Sequence, residues 1–133
     1  MRYPDRSINR GHFPLTLQGR VIRGMDVHNL DDFWGGWFVG AFYPSLGNSP
    51  HFEVAVTRFS AGEREPKHYQ VEATEITVIV SGHCRIGDNQ LGPNEIIRIA
   101  PLETADFEAL TDVVLVAVKF PSLANDKRLT EPE

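Results

Sequence analysis

Residues 62–82 decide the fold of this 133-residue chain, and they read Gly62-Glu-Arg-Glu-Pro-Lys-His68-Tyr-Gln70-Val-Glu-Ala-Thr-Glu75-Ile-Thr-Val-Ile-Val-Ser-Gly82. His68 and Gln70 are two positions apart, so in a β-strand their side chains point to the same face. A short bend then lets Glu75 return on the next strand, and the two glycines mark turns. The spacing predicts that three polar side chains converge inside an otherwise apolar β-structure, as a polar ligand or a metal ion requires.

The segments around this stretch also have the pattern of strands. Short runs of β-forming residues recur roughly every ten residues, separated by Gly, Pro, Asn and Asp, which is typical of a β-sandwich or barrel. Residues 52–57 alternate between two kinds of side chain, the period of a strand with two different faces. The clearest runs are 20–23, 37–43, 52–57, 76–80, 83–86, 96–100 and 113–118.

Two local signals predict connections between these runs. Gly87-Asp88-Asn89 is typical of a hairpin turn after residues 83–86. Asn29 can cap one helical turn over residues 29–34, and we expect no longer helix because no window shows a 3.6-residue apolar stripe.

The chain is predicted to be a single domain with two flanking segments. Residues 1–18 lack clear periodicity and are predicted to be an N-terminal arm. Residues 19–121 are predicted to form the barrel. Residues 122–133 are polar and are predicted to be a tail or a strap over the barrel.

Composition limits the function classes. Hydrophobic residues make up 41% and charged residues 23% of the chain, which suits one domain with a substantial core. The net charge of −5 gives no general attraction to nucleic acid or to anionic membranes. The one cysteine, Cys84, cannot form an internal disulfide, and the first residues lack the apolar run of a signal peptide. We therefore expect a cytoplasmic protein.

The spacing Gly-x5-His-x-Gln-x4-Glu-x6-Gly over residues 62–82 resembles the first sequence motif of the cupin superfamily. The family has a second histidine where this chain has Gln70. The resemblance spans roughly residues 52–120, and it implies an all-β, single-domain cupin barrel, the double-stranded β-helix or jelly roll.

The second cupin motif, Gly-x5-Pro-x-Gly-x2-His-x3-Asn, is only partly retained. Pro101 matches the proline of the motif. Different residues stand at its last glycine, histidine and asparagine, namely Glu103, Asp106 and Leu110. This motif alone carries little weight.

The chain is also similar to a narrower group of small bacterial cupins. That group reads His-Tyr-His-Lys-x-Ala-Thr-Glu and carries a Pro-Ser segment followed by Asp-Lys. The counterparts here are residues 68–75, Pro121-Ser122 and Asp126-Lys127. Members of the group mostly have no assigned activity, so this likeness supports the fold more than any function.

Cupin motif residues usually hold Fe, Mn, Zn or Ni. Carried over residue by residue, the resemblance implies His68, Gln70, Glu75 and Asp106 as metal ligands. One imidazole nitrogen and three oxygens favour Mn(II) or Fe(II) over Zn(II). Gln70 can ligate only through a neutral carbonyl oxygen, so the resemblance implies a weak or vestigial site.

Asp106 can face either side of its strand. If Phe107 and Ala109 face the core, Asp106 points outward; if Asp106 points inward, so does Glu108. Both orientations stay open at this point.

Several other side chains are expected to be structural. Cys84 is expected to be a small core residue rather than a nucleophile. Trp34 and Trp37 are expected to pack rather than to line a ligand mouth. The charges of Glu63-Arg-Glu and of Asp126-Lys-Arg are expected to be solvated. Four histidines outside the motif are expected at the surface or in turns: His12, His28, His51 and His83.

Three functions are left open. The first is a small-molecule-binding cupin with a weak or vestigial metal site. The second is an Mn- or Fe-dependent enzyme acting on a carbohydrate or organic acid, in which the ion polarises a carbonyl or activates oxygen. The third is a metal-free sugar isomerase or epimerase with His68 as base and Tyr69 or Tyr43 as proton partner. Fold resemblance cannot choose among them.

The apolar run 113–118 and the strand 76–80 are expected to be covered on both faces. A single thin barrel covers only one face of each strand. We therefore predict a homodimer.

Overall fold

The computed structural model describes residues 20–22 and 24–130, so the predicted N-terminal arm, residues 1–18, lies outside the described residues. Short 3-10 turns occupy Leu30–Asp32 and Trp34–Gly36. The strands are β1 (Arg20–Ile22), β2 (Met25–Val27), β3 (Trp37–Val39), β4 (Glu53–Phe59), β5 (Arg64–Gln70), β6 (Thr74–Ser81), β7 (Cys84–Ile86), β8 (Asn89–Leu91), β9 (Ile96–Ile99), β10 (Ala105–Ala109), β11 (Val113–Phe120) and β12 (Lys127–Leu129).

Two five-stranded antiparallel sheets enclose the core. The first sheet has the order β3-β4-β11-β6-β9 and the second the order β12-β5-β10-β7-β8, while β1 and β2 form a separate hairpin. The core is one cluster of buried side chains from both sheets, including Trp37, Ala55, Ile79 and Leu115 from the first and Cys84, Ile86, Phe107 and Ala109 from the second. The predicted all-β, two-layer architecture is confirmed.

The predicted local signals are confirmed too. The side chain of Asn29 accepts a hydrogen bond from the backbone N–H of Asp31 at 2.8 Å and so caps the first 3-10 turn. Gly87, with φ of 56°, and Asp88 form the turn between β7 and β8. Among the described residues, no helix has the length and apolar content to cross a membrane.

The interior face of the first sheet is the more polar of its two faces. β4 buries Glu53 and β11 buries Lys119, whereas all the valines of these two strands except Val113 point outward. On the outer face, Val116 lies in register between Val56 of β4 and Val78 of β6. The alternation in residues 52–57 therefore has its polar face inside.

The C-terminal segment, predicted to be a tail or a strap, is described as far as residue 130. Within it, β12 pairs antiparallel with β5, which places Lys127 opposite Gln70 and Leu129 opposite His68. The C-terminal segment thus lies beside the strand that carries the motif.

Candidate functional site

β5 has three polar side chains on its interior side because it contains a β-bulge. Ala105 of β10 pairs with His68 and Phe107 pairs with Glu65, so β5 has one more residue than β10 between the two pairs. The extra residue reverses the alternation of side chains along β5. As a result, Glu65, His68 and Gln70 line one cavity.

Glu75 joins them because the turn between β5 and β6 is tight. The carboxylate of Asp126 accepts hydrogen bonds from the backbone N–H groups of Glu72 and Ala73, both at 3.0 Å. Its main-chain carbonyl accepts another from the N–H of Val71 at 2.9 Å. Asp126 is buried, so the expectation that it is an ordinary solvated charge is wrong. It satisfies backbone donors that the turn leaves without strand partners.

The cavity that these residues line is small. Its volume is about 40 Å³, which has room for roughly three water-sized groups. Tyr69, Thr77 and Glu103 also line it, and Glu103 is exposed, so the cavity reaches the surface there. Of the two tyrosines predicted as proton partners, Tyr69 lines the cavity and Tyr43 does not.

His68 is a hydrogen-bond acceptor toward the cavity. Its Nδ1 lies 2.9 Å from the carbonyl oxygen of Pro66. A carbonyl only accepts, so Nδ1 carries the proton and the neutral ring keeps a lone pair at Nε2. Burial lowers the pKa of His68 below its ordinary value; the hydrogen bond to Pro66 opposes this effect and the charge of Lys127 adds to it. The ring is therefore neutral at neutral pH.

Among the residues of the cavity, Glu75 gives the strongest indication that a ligand binds there. It is 6% exposed, and its Oε1 makes no hydrogen bond to any residue that the structure describes. Burial raises the pKa of Glu75, and the charge of Lys119 opposes that rise. Burying a carboxylate oxygen without a partner is costly, so we infer that this oxygen is used by something that enters the cavity.

A row of buried charges crosses the first sheet next to Glu75. Lys119 lies in register opposite Glu53 on one side and Glu75 on the other. Its Nζ is 2.8 Å from Oε1 of Glu53, with the two side chains 4% and 1% exposed, and 5.2 Å from the ring centroid of Trp37. Oε2 of Glu53 accepts a hydrogen bond from the hydroxyl of Ser122 at 2.7 Å. This ion pair places a fixed positive charge beside Glu75.

Three buried charged residues of this region, Glu53, Glu65 and Lys119, were not predicted as site residues. Glu65 is 9% exposed, so the expectation that it is a solvated charge is wrong. The available signal for Glu53 was its place on the polar side of a period-two strand, but that pattern also describes a solvent-facing edge. Pro66 inside a strand was the signal for the bulge that turns Glu65 inward.

Asp106 does not bring its carboxylate to the other three predicted residues. Phe107 and Ala109 are buried in the core, so Asp106 has the outward orientation. Although Asp106 contributes to the cavity wall, its carboxylate accepts two hydrogen bonds from Arg85, at 2.9 and 3.0 Å. The hydrogen bonds from Arg85 lower the pKa of Asp106.

The donors that do converge fall short of the four-ligand metal site that the resemblance implies. His68, Gln70 and Glu75 offer one imidazole nitrogen, one neutral amide and one carboxylate. Within residues 24–130, no group of three or more His, Cys, Asp or Glu side chains is placed to hold a metal ion. Lys119 also brings a positive charge close to Glu75, which disfavours a second cation of high charge density.

The remaining predictions for single residues are mostly confirmed. Cys84 and Trp37 are fully buried in the core. Trp34 differs, because it is 53% exposed and does not pack in the core. His51 and His83 are exposed as expected, whereas the side chain of His28 is 10% exposed and contacts Asp26. His12 lies outside the described residues.

A larger groove of about 830 Å³ lies between β4 and the edge formed by β5 and β12. Phe59 and Glu65 line both this groove and the small cavity. The groove contains none of His68, Gln70 and Glu75, so we place the candidate site in the small cavity.

Comparison with known proteins identifies the fold. No protein-family model matches the sequence, and no curated protein matches it. Among solved structures, an uncharacterized conserved protein with a double-stranded β-helix domain from Klebsiella pneumoniae is 17% identical, with a TM-score of 0.58, and the match covers 80% of this chain and 92% of that one.

Two further structures agree. An RmlC-like cupin protein from Desulfovibrio desulfuricans is 18% identical, with a TM-score of 0.52 and 59% and 79% of the two chains covered. The DMSP lyase DddQ from Ruegeria pomeroyi is 22% identical, with a TM-score of 0.56 and 65% and 46% covered. At these identities the likeness shows the fold.

Proposed function

Because the chain has the cupin fold, we propose that it binds a small polar molecule inside its barrel, at His68, Gln70 and Glu75. The observation that carries this proposal is the buried Oε1 of Glu75, which has no partner among the described residues; Glu75 and His68 line the same cavity. Most ligand pockets are roughly 300–1,000 Å³. A cavity of about 40 Å³ suits one polar group of a ligand, with the rest of the molecule toward Glu103.

The metal site that the resemblance implies has three candidate ligands in this proposal instead of four. We propose that His68, Gln70 and Glu75 are a weak or vestigial site, with Mn(II) or Fe(II) favoured over Zn(II) for an oxygen-rich set. Asp106 is left out because Arg85 holds its carboxylate.

A ligand-observed NMR screen of small amines, polyols and organic acids tests the binding function. We expect at least one member to bind wild-type protein, and Glu75→Gln to weaken that binding by at least about tenfold, because a hydrogen bond to a charged group is lost. Glu72→Gln is the matched control, since Glu72 is an exposed glutamate in the adjacent turn. Binding that Glu75→Gln leaves unchanged, or no binding by any member, contradicts the proposal.

A second variant tests the proposed metal site. Gln70→His adds an imidazole where the first cupin motif has its second histidine, and we expect it to raise the affinity for Mn(II) by about tenfold or more. Unchanged affinity would show that the side chains at positions 68, 70 and 75 do not bind one metal ion together.

We propose that the chain is a homodimer through the outer face of its first sheet. Half-buried valines cover this face, with Val116 at its centre, and Val80 and Ile96 are 52% and 65% exposed on the same sheet. Sedimentation velocity at micromolar concentration should give the dimer mass for wild type and the monomer mass for Val116→Glu. Gln90→Glu, on an exposed strand of the other sheet, should stay dimeric. A monomeric wild type refutes this interface.

We also propose a cytoplasmic location. The single cysteine, Cys84, is free and buried in the core. A thiol of this kind is typical of reducing compartments.

A further inference from the structure

Two atoms of the residues that line the small cavity are hydrogen-bond acceptors, Nε2 of His68 and Oε1 of Glu75. The neutral ring of His68 has its proton on Nδ1, which donates to Pro66, so Nε2 can only accept. Oε1 of Glu75 is an acceptor without a partner among residues 24–130 and is more than nine-tenths buried. A ligand that satisfies both atoms has to donate at least two hydrogen bonds.

The charged side chains that line the cavity are acidic, so they also favour a ligand that donates hydrogen bonds. Three glutamates line it, Glu65, Glu75 and Glu103. Lys119 does not line it and is held by Glu53 at 2.8 Å. Lys127 acts on His68 electrostatically but lines the larger groove instead. Among the described residues, those that line the cavity include acidic side chains and no lysine or arginine, whereas Lys119 acts on Glu75 from the neighbouring strand.

The size of the cavity and its donor atoms distinguish a divalent metal ion from an ammonium group as the bound cation. A volume of about 40 Å³ holds a group of the size of a water molecule together with one or two neighbouring atoms. A divalent metal ion is held tightly only by several anionic or imidazole donors, and the pairing of Asp106 with Arg85 removes one of them, so the proposed metal site is weak. An ammonium group has three donors and a single charge, which matches a neutral imidazole, an amide and one buried carboxylate.

We propose that the ligand of this cavity carries a primary ammonium group, which donates to Oε1 of Glu75 and Nε2 of His68. The inference rests on the proposed binding function and specifies its chemical class as a small primary amine.

Three probes of nearly equal size test this inference: methylammonium, methanol and formate. Each is titrated into ¹⁵N-labelled wild-type protein at neutral pH and constant ionic strength, and the shifts of the amides of β5 and β6 are followed. For ligands of two or three heavy atoms, the ceiling on affinity corresponds to a Kd of about 0.5–6 mM, so binding in the millimolar range is expected. We expect methylammonium to give saturable shifts, and methanol and formate to bind at least about tenfold more weakly.

The variants assign the effect to the cavity. Glu75→Gln keeps the shape of the side chain and should weaken methylammonium binding by about tenfold or more, while Glu72→Gln should leave it unchanged. The comparison of the three probes on wild type does not depend on the folding of any variant.

The outcomes distinguish the two proposals. Binding of methanol or formate at the same amides, with affinity equal to or above that of methylammonium, overturns the ammonium inference and leaves the binding function standing. If none of the three probes gives saturable shifts, the ammonium inference is overturned; the binding function is overturned as well if the wider screen also finds no ligand that depends on Glu75.

Discussion

Lys119→Met is expected to lower the free energy of unfolding by about 3–5 kcal/mol, because it leaves a buried carboxylate without its counter-charge. Lys119 and Glu53 are 4% and 1% exposed and 2.8 Å apart, so water cannot take the place of the lysine. Methionine keeps most of the aliphatic stem and removes only the charged end, which lies 5.2 Å from the ring centroid of Trp37, so the loss reports the charge rather than a cavity. Urea unfolding followed by tryptophan fluorescence measures it.

The double variant Glu53→Gln/Lys119→Met is the control for this interpretation. Glutamine removes the unpaired charge and keeps an oxygen for the hydroxyl of Ser122, which is 2.7 Å from Oε2 of Glu53 in the wild type. We expect the double variant to regain at least about 2 kcal/mol relative to Lys119→Met alone. A loss below about 1 kcal/mol for Lys119→Met, or simple additivity of the two single changes, would show that the pair is not a coupled buried unit.

The parts of the site that could be predicted depend on short-range geometry. His68 and Gln70 share a face because strand side chains alternate, and this holds wherever the strand lies in the fold. Glu75 could be added because only a short turn separates it from Gln70. The fold followed for a similar reason, since strand length and turn residues are local properties.

The parts that were missed depend on contacts between distant segments. Glu53 and Lys119 meet only because β4 and β11 pair in one particular register, and neither strand shows by itself which face is inside. The alternation in residues 52–57 shows that the strand has two different faces, but it does not show that the face with Glu53 is inside. The same ambiguity left the orientation of Asp106 open until the burial of Phe107 settled it.

Asp126 shows another limit. In the sequence it stands among charged residues and has the pattern of a solvated segment. Its burial follows from the turn at residues 71–73, whose backbone N–H groups need an acceptor that the turn itself does not contain. A capping contact of this kind is visible only when both segments are in place.

Gly82→Ala is expected to lower the free energy of unfolding by about 3–5 kcal/mol, whereas Gly62→Ala is expected to cost about 1–2 kcal/mol. Both glycines belong to the predicted motif, and both have positive φ, 83° and 89°. They differ in what surrounds them. A Cβ on Gly82 would lie 1.9 Å from the carbonyl oxygen of Asp112, while a Cβ on Gly62 would have no heavy atom within 4 Å.

These two variants distinguish two physical reasons why a position of the motif requires glycine. Gly62 needs only the backbone conformation of a turn, which an alanine can adopt at a modest cost. Gly82 needs that conformation and also the close approach of the segment before β11, so an alanine there has to displace backbone beside the inner strands β6 and β11. Urea midpoints of the two variants, measured at one protein concentration, give the comparison. Equal losses for Gly82→Ala and Gly62→Ala would show that the approach of Asp112 to Gly82 is not as close as the structure has it.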